Sequence, residues 1–291
     1  MKKVLIAGAG SYVGESVKKY ILSTCSEIEI EAVDTFEDHW KAADFSKYDV
    51  VYHVAGIAHV DPKPEMEPLY YKVNRDLCIE VAKTAKAAGV KQFIFMSSMI
   101  VFHESQKLST EVLTADSVPC PNGFYGNSKL QAENGLHELE CDTFKVCILR
   151  PPMIYGPNSK GNFPRLRKLA LKTPVFPAYH NQRSMLYIDN LAEFVKQVIL
   201  REMSGTFYPQ NGELSDTVEI IRYFASAAGH KVWITKCLNP FVKLGSHSVQ
   251  ALNKMFASYY YDPAMSKMDF DYQLVGFEES LKRVNEAMVE K

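Results

Sequence analysis

Val4-Leu5-Ile6-Ala7-Gly8-Ala9-Gly10-Ser11-Tyr12-Val13-Gly14 is the stretch from which the rest of the chain can be read. The run Val4 to Ala7 is short and wholly apolar, as expected of a central parallel strand covered on both faces. It enters a glycine turn, and an amphipathic helix follows to about Leu22. In the order strand, turn, helix, small residues let the backbone approach a pyrophosphate at the positive end of the helix. Gly8, Gly10, Ser11, Tyr12, Val13 and Gly14 are therefore candidate cofactor-binding positions. The spacing is G-x-G-x-x-x-G rather than the common G-x-G-x-x-G, and a tight turn without a ligand is the alternative.

The pattern repeats downstream. A second strand, Glu29 to Val33, ends at Asp34, where such a fold binds a ribose 2′-hydroxyl. No arginine lies between Asp34 and Asp44, and only Lys41 could meet a 2′-phosphate, so the residues favour NAD over NADP. Val50 to Gly56 reads as a third strand ending in small residues, with His53 packed inside it rather than acting as a ligand. A helix from Pro68 to Ala88 should stop at Gly89. Phe93 to Met96 is the next buried strand. This alternation implies an α/β fold, a Rossmann-like doubly wound parallel sheet with ligands at the carboxyl ends of its strands.

Ser97-Ser98 closes that fourth strand, and a helix opens at Tyr125-Gly126-Asn127-Ser128-Lys129. Tyrosine and lysine four apart share a helix face. An ammonium beside a phenol favours the phenolate, and a serine hydroxyl could bond the same substrate oxygen, so Ser98, Tyr125 and Lys129 are candidate acid–base residues. A solvated surface pair is the alternative for the tyrosine and lysine.

The bulk numbers exclude several classes. At 291 residues, with 47% apolar and 23% charged residues, the chain is an ordinary globular protein large enough for one α/β domain with a smaller lobe. Net charge is −1 and no basic run stands out, which suggests neither nucleic acid nor an anionic membrane as a partner. The six cysteines show no C-x-x-C pairing and read as reduced thiols, and no metal-ligand spacing joins them to the histidines. No stretch approaches the roughly 18 apolar residues of a membrane helix, and the N-terminal apolar run is too short for a signal peptide, so a cytoplasmic location is expected.

In the second half, Phe144 to Leu149 is a strand that Arg150-Pro151-Pro152 terminates. Gly161-Asn162-Phe163-Pro164 starts a basic helix (Arg165, Arg167, Lys168, Lys172), either a solvated face or the border of an anionic substrate. Met185 to Ile188 should return the chain to the sheet, a helix should reach about Arg201, and Gly205 to Pro209 should form a last short strand. A capped helix is expected from Ser215 to Ala227.

Taken in order, these motifs resemble the extended short-chain dehydrogenase/reductase family, in its NAD-dependent epimerase/dehydratase branch acting on nucleotide sugars. The glycine turn is similar to T-G-x-x-G-x-x-G, with Ala7 for the threonine and Ser11 for the middle glycine. Asp44-Phe45 resembles a pair that touches adenine, His53-Val54-Ala55-Gly56 resembles H-L-A-A, and Tyr71 with Asn74 resembles Y-x-x-N. Ser97 to Phe102 is similar to S-S-x-x-V-Y, and Tyr125 and Lys129 match Y-x-x-x-K. Arg150 to Pro157 is similar to L-R-x-x-x-x-Y-G-P, and Arg183 to Ala192 to R-D-x-I-x-V-x-D-L-A.

The resemblance implies that Tyr125 exchanges the sugar hydroxyl proton, that Ser98 orients the hydroxyl, and that Lys129 lowers the Tyr125 pKa and holds the nicotinamide ribose. It implies cofactor contacts from Asp44, Phe45, Val54, Ala55, Gly56, Asn74 and Pro152, and substrate contacts from Ser98, Asn162 and Arg183, the last on a phosphate. It further implies an NAD-binding domain of residues 1–152 plus 184–209, a smaller mixed α/β substrate lobe of 153–183 plus 210–291, and a homodimer. The implied activity is 4-epimerisation of a UDP-hexose or UDP-N-acetylhexosamine through a 4-keto intermediate. A 4-keto reductase and a non-catalytic NAD(P) sensor are the alternatives. Departures from the pattern bear on the substrate: His103 stands where V-Y-G has glycine, Met153 replaces an asparagine near the diphosphate, and Lys254 is only a loose counterpart of a second phosphate-binding arginine.

Overall fold

The computed structural model describes residues 1–58, 63–103 and 107–289. The chain begins with β1 (Lys2–Ala7), α1 (Tyr12–Thr24), β2 (Ile28–Val33), β3 (Val50–His53), α2 (Glu67–Tyr70), α3 (Leu77–Ala87) and β4 (Gln92–Met96). β5 (Thr110–Leu113), α4 (Phe124–His137), β6 (Lys145–Leu149), β7 (Met153–Tyr155), α5 (Asn162–Lys172) and β8 (Val175–Pro177) come next. β9 (Met185–Tyr187), α6 (Ile188–Leu200) and β10 (Gly205–Phe207) precede a final run of α7 (Thr217–Ala227), β11 (Trp233–Thr235) and α8 (Asn239–Gly245). α9 (Gln250–Phe256), β12 (Ser258–Tyr261) and α10 (Phe277–Val289) end it. No helix among the described residues is long and apolar enough to cross a membrane.

Six strands form one parallel sheet in the order β10-β6-β4-β3-β1-β2. Continuous apolar runs suit it because both faces are covered. Val4 and Ile6 of β1 face one core with Val17, Ile21, Leu191 and Val195 of α1 and α6. Leu5 and Ala7 face a second core with Val81, Ala85, Ala132 and Leu136 of α3 and α4. β4 splits the same way, Ile94 and Met96 against Phe93 and Phe95. Full burial of such a side chain contributes about 1.5–3 kcal/mol, so a one-residue slip of register would forfeit several at once. His53 lies in this interior, its ring 5.9 Å from Phe93 and 6.1 Å from Phe95. Neither ring nitrogen has a hydrogen-bond partner among the described residues, and burial pushes its pKa down to about 3, so it packs as a neutral aromatic.

Two expectations are corrected. The helix read from Pro68 to Ala88 is interrupted by a π-type segment, Tyr71–Asp76, between α2 and α3. The wider turn holds Asn74 inward, fully buried, and Gly89 ends the helix at φ +86°. The apolar run from Met185 to Ile188 does not return the chain to the central sheet. Its strand β9 pairs with β7 in a separate two-stranded sheet. Pro151 and Pro152 stop β6 at Leu149 by removing the N–H groups a ladder needs, and the chain leaves the sheet there. α6 then brings it back to β10, which pairs with β6.

Candidate active site

Because the six strands run parallel, the ends of β1, β3, β4 and β6 deliver Gly8, Val54, Ser97 and Pro151 to one edge of the sheet. A cleft of about 490 Å³ opens there, and Ser98, Tyr125, Lys129 and Arg183 all line it. Residues far apart in the chain thus meet where parallel sheets bind ligands.

The glycine turn forms one wall, through Gly10, Ser11, Tyr12 and Val13. Gly8 adopts φ +124°, and a Cβ there would lie 2.7 Å from the Ala55 nitrogen, so no side chain fits between the turn and β3. Ser11, in the place of a motif glycine, caps α1 by accepting from the Gly14 N–H at 3.1 Å. Asp34 is exposed immediately after β2 and accepts from the Phe36 N–H at 2.9 Å. A side-chain-free approach, a helix N-terminus at the cleft and a carboxylate beyond β2 together fit a dinucleotide such as NAD. Val54, Gly56 and Pro152 line the cleft, whereas Gly14, Ala55, Asp34, Asp44, Phe45 and Asn74 do not. Asp44 accepts from the Ser46 hydroxyl at 2.6 Å, and Phe45 is buried in the core beneath it. Asn74 accepts from the Ile57 N–H at 2.8 Å and donates to Ser128 Oγ at 3.1 Å, tying the loop after β3 to α4.

Ser98 follows β4, and its Oγ accepts from the Ile100 N–H at 3.3 Å. Tyr125, on the first turn of α4, lines the same cleft. Burial pushes the Tyr125 pKa up to about 12, with Ser98 opposing and Tyr70 reinforcing the rise. Lys129 Nζ donates to the Met96 carbonyl at 2.9 Å and lies 4.7 Å from the Phe95 ring centre. Burial lowers its pKa to about 8, with Cys78 and Glu133 opposing. The expectation that Lys129 depresses the Tyr125 pKa is corrected: Lys129 is not among the groups that shift it, its ammonium donates to the Met96 carbonyl at the cleft wall, and the phenol stands above its usual range.

Glu133 lies one turn beyond Lys129, buried, and Arg150 donates to it from Nη2 at 2.6 Å and Nε at 3.1 Å. The Ser97 hydroxyl donates to the same carboxylate. This network fastens the end of β4, which carries Ser98, to the helix that carries Tyr125 and Lys129. It was missed in the sequence, although the four-residue step from Tyr125 through Lys129 to Glu133 was there to find.

Arg183 exchanges backbone hydrogen bonds with Ser215 at 2.9 Å, and its guanidinium donates to the Lys254 carbonyl. No carboxylate pairs with it among the described residues. Lys160, Asn162, Met153 and Lys254 line the same cleft, and among the described residues no aspartate or glutamate does. Of the basic helix α5, only Asn162 at its start reaches the cleft; Arg165, Lys168 and Lys172 are exposed elsewhere. Several lining residues were not read as site residues, His103 and Tyr259 among them. His103 Nε2 lies 2.8 Å from Glu111 Oε2 on β5, and its ring is 5.4 Å from that of Tyr259 on the paired strand β12.

A parallel sheet with a glycine turn, and a Ser–Tyr–Lys set above its carboxyl edge, define a dinucleotide-dependent α/β enzyme. The NAD dependent epimerase/dehydratase family matches residues 4–207, and the chain belongs to it, with NAD as cofactor. A UDP-glucose 4-epimerase of Vibrio cholerae is 32% identical over 255 residues, covering 80% of this chain and 77% of that one. An N-acetyl-alpha-D-glucosaminyl-diphospho-ditrans,octacis-undecaprenol 4-epimerase of Escherichia coli O157:H7 is 28% identical over 222 residues, covering 69% of this chain and 64% of that one. Among solved structures, a UDP-glucuronic acid 4-epimerase from Bacillus cereus in complex with NAD shares the fold at a TM-score of 0.74 and 19% identity, covering 99% of both chains.

Proposed function

We propose that the chain is a nucleotide-sugar 4-epimerase acting on a UDP-hexose or UDP-N-acetylhexosamine through a 4-keto intermediate. The carrying observation is the composition of the cleft: a serine, a tyrosine and a lysine beside an arginine and two further lysines, with no carboxylate among the described residues that line it. Such a site suits an anionic ligand with a hydroxyl to be oxidised. The names of the Vibrio cholerae and Escherichia coli relatives support 4-epimerisation in particular.

In this reading the Tyr125 oxygen takes the proton of the sugar 4-hydroxyl and returns it, while Ser98 holds that hydroxyl in line. NAD, when bound, supplies the redox chemistry at the sugar carbon. Lys129, charged below a pKa of about 8, holds the ribose. Gly8, Gly10, Ser11, Tyr12, Val13 and Gly14 cradle the pyrophosphate. Asp34 takes the adenosine ribose, and Asp44 and Phe45 lie toward adenine. Val54, Ala55, Gly56 and Pro152 form the wall, with Asn74 acting through Ile57 and Ser128. Arg183 grips the diphosphate in a forked, charge-assisted contact, Lys254 adds a second cation, and Asn162 borders the sugar. Residues 1–152 plus 184–209 would be the cofactor-binding part, and 153–183 plus 210–291 the substrate part.

The test is to denature the purified protein and measure released nucleotide, then to incubate the native protein with UDP-glucose, UDP-N-acetylglucosamine and their 4-epimers. Retained NAD and interconversion without added cofactor are expected. Turnover of only a 4-keto sugar with added NADH would make the chain a reductase, and no reaction with UDP-, GDP- or dTDP-sugars would overturn the reading.

A further inference from the structure

The net charge of −1 conceals a strong segregation of charge. From Thr143 to Ile188 and from Ile220 to Tyr261 the chain has thirteen lysines and arginines and no aspartate or glutamate, leaving 20 basic and 34 acidic residues elsewhere. The fold joins the two acid-free stretches. β8 pairs with β11, Val175 opposite Trp233, and His230 Nε2 meets the Thr173 carbonyl at 2.9 Å. Asn239, which opens α8, donates to the Ala178 carbonyl at 3.0 Å. Lys172, Lys231, Lys236 and Lys243 are all exposed on these segments, and none pairs with a carboxylate among the described residues.

Apolar side chains are exposed among these lysines. Trp233 is 68% exposed, Phe241 68%, Leu244 74% and Val249 48%. Phe241 and Leu244 are neighbours at a three-residue step on α8, while Val242 between them turns inward and is buried. Single exposed apolar residues are ordinary, but four large ones within seventeen residues, interleaved with unpaired lysines, are not. Aromatic and aliphatic tips ringed by lysine are what lies in the boundary between headgroups and acyl chains of an anionic bilayer.

We propose that the surface formed by β11, α8 and the end of α5 docks the enzyme peripherally on an anionic lipid bilayer. Charge complementarity selects this occupant. A second copy would bring a like-charged face, and a nucleic acid would satisfy the lysines but leave Leu244 and Val249 against a phosphate backbone. A lipid surface takes both, headgroups on the lysines and acyl chains on the apolar tips. The surface is separate from the Tyr125 cleft, so the proposal stands or falls independently of the substrate.

Trp233 makes the test direct, because the other tryptophan, Trp40, is only 1% exposed. The full chain is titrated with vesicles of phosphatidylglycerol mixed with phosphatidylcholine, and with vesicles of phosphatidylcholine alone, following tryptophan emission and co-sedimentation. The surface predicts a blue shift and sedimentation with anionic vesicles only, both reversed by high salt. Lys236→Glu with Lys243→Glu should weaken binding at least about tenfold, and Phe241→Ser with Leu244→Ser comparably, while circular dichroism stays unchanged. Absence of binding to either vesicle, equal binding to both, or binding indifferent to these variants would each overturn the proposal. So would a wild-type dimer, seen by light scattering, that Phe241→Ser with Leu244→Ser dissociates, since the face would then belong to a second copy. Binding of RNA but not of vesicles would reassign it to nucleic acid.

Discussion

The two ends of the central sheet each hold a cavity edged by lysines, and they treat those lysines in opposite ways. At the amino ends of β1, β3, β4 and β6 a cavity of about 360 Å³ is lined by Lys2, Lys86, Lys91 and Lys145 together with Asp49 and Glu202. There the cations are answered within the chain. Lys2 and Lys145 both pair with Glu202, Lys91 reaches Asp49 at 4.0 Å, and Lys86 donates to the Leu139 carbonyl at 2.6 Å. At the carboxyl ends, Lys160, Arg183 and Lys254 line a cleft that no aspartate or glutamate lines among the described residues. Exposed pairs of the first kind contribute about 0–1 kcal/mol each and finish a surface. A proton-exchanging set beside an arginine and lysines, at the carboxyl edge of a parallel sheet, suits a ligand that carries an anionic group.

The largest effect that could break this contrast concerns Tyr125. Tyr125→Phe should lower turnover about a thousandfold or more while NAD stays bound, because only the proton-carrying oxygen is removed. Steady-state kinetics with a measurement of bound nucleotide decides it, and activity within about tenfold of wild type would refute the role.

A smaller effect is expected at Asp34, on the cofactor side of the same edge. Its carboxylate should repel a 2′-phosphate, so NAD should bind more tightly than NADP, and Asp34→Ala should narrow the gap by about tenfold. Fluorescence titration of both cofactors measures this. Tighter NADP binding by the unaltered protein would count against placing the ribose beside β2.

The smallest effect at neutral pH, and a larger one in acid, should come from His53 inside the sheet. Its folded pKa is depressed from 6.5 to about 3, so between those values the unfolded chain binds a proton that the folded protein refuses. Stability should therefore fall as pH drops through that window and be unaffected by this group above it. His53→Phe, stacking between Phe93 and Phe95, should remove a loss on the order of 2 kcal/mol at about pH 4.5. Urea melts at neutral and acid pH would show it, and parallel acid limbs for the two proteins would contradict it.

What the sequence made legible is what local spacing encodes. The glycine turn, the strands Val4 to Ala7 and Phe93 to Met96, and the four-residue step from Tyr125 to Lys129 each fall within one strand–turn–helix unit. Arg183 was found through a motif, and it lines the cleft with the others. The rest depends on contacts between distant segments. An apolar run such as Met185 to Tyr187 suits either sheet, and the two prolines ending β6 sent β7 to meet it outside the central one. Tyr259 reaches the cleft through the pairing of β12 with β5, and Glu133 meets Arg150 across the fold. The direction of the Tyr125 pKa was also out of reach, because it is set by burial, with Tyr70 reinforcing it and Ser98 opposing. Whole-chain charge averaged away the segregation that α8 and β11 display.

One titration addresses the contrast between the two ends most directly: UDP against the unaltered protein, Arg183→Ala and Lys145→Ala, with GDP and dTDP as comparisons. Loss of a charged partner to a phosphate should cost about 1.5–3 kcal/mol, so Arg183→Ala should bind UDP about ten- to a hundredfold more weakly. Lys145→Ala, at the self-neutralised end, should match the unaltered protein. Failure of all three nucleotides to bind the unaltered protein, or equal UDP affinity with and without Arg183, would contradict the assignment of the cleft to a nucleoside diphosphate sugar.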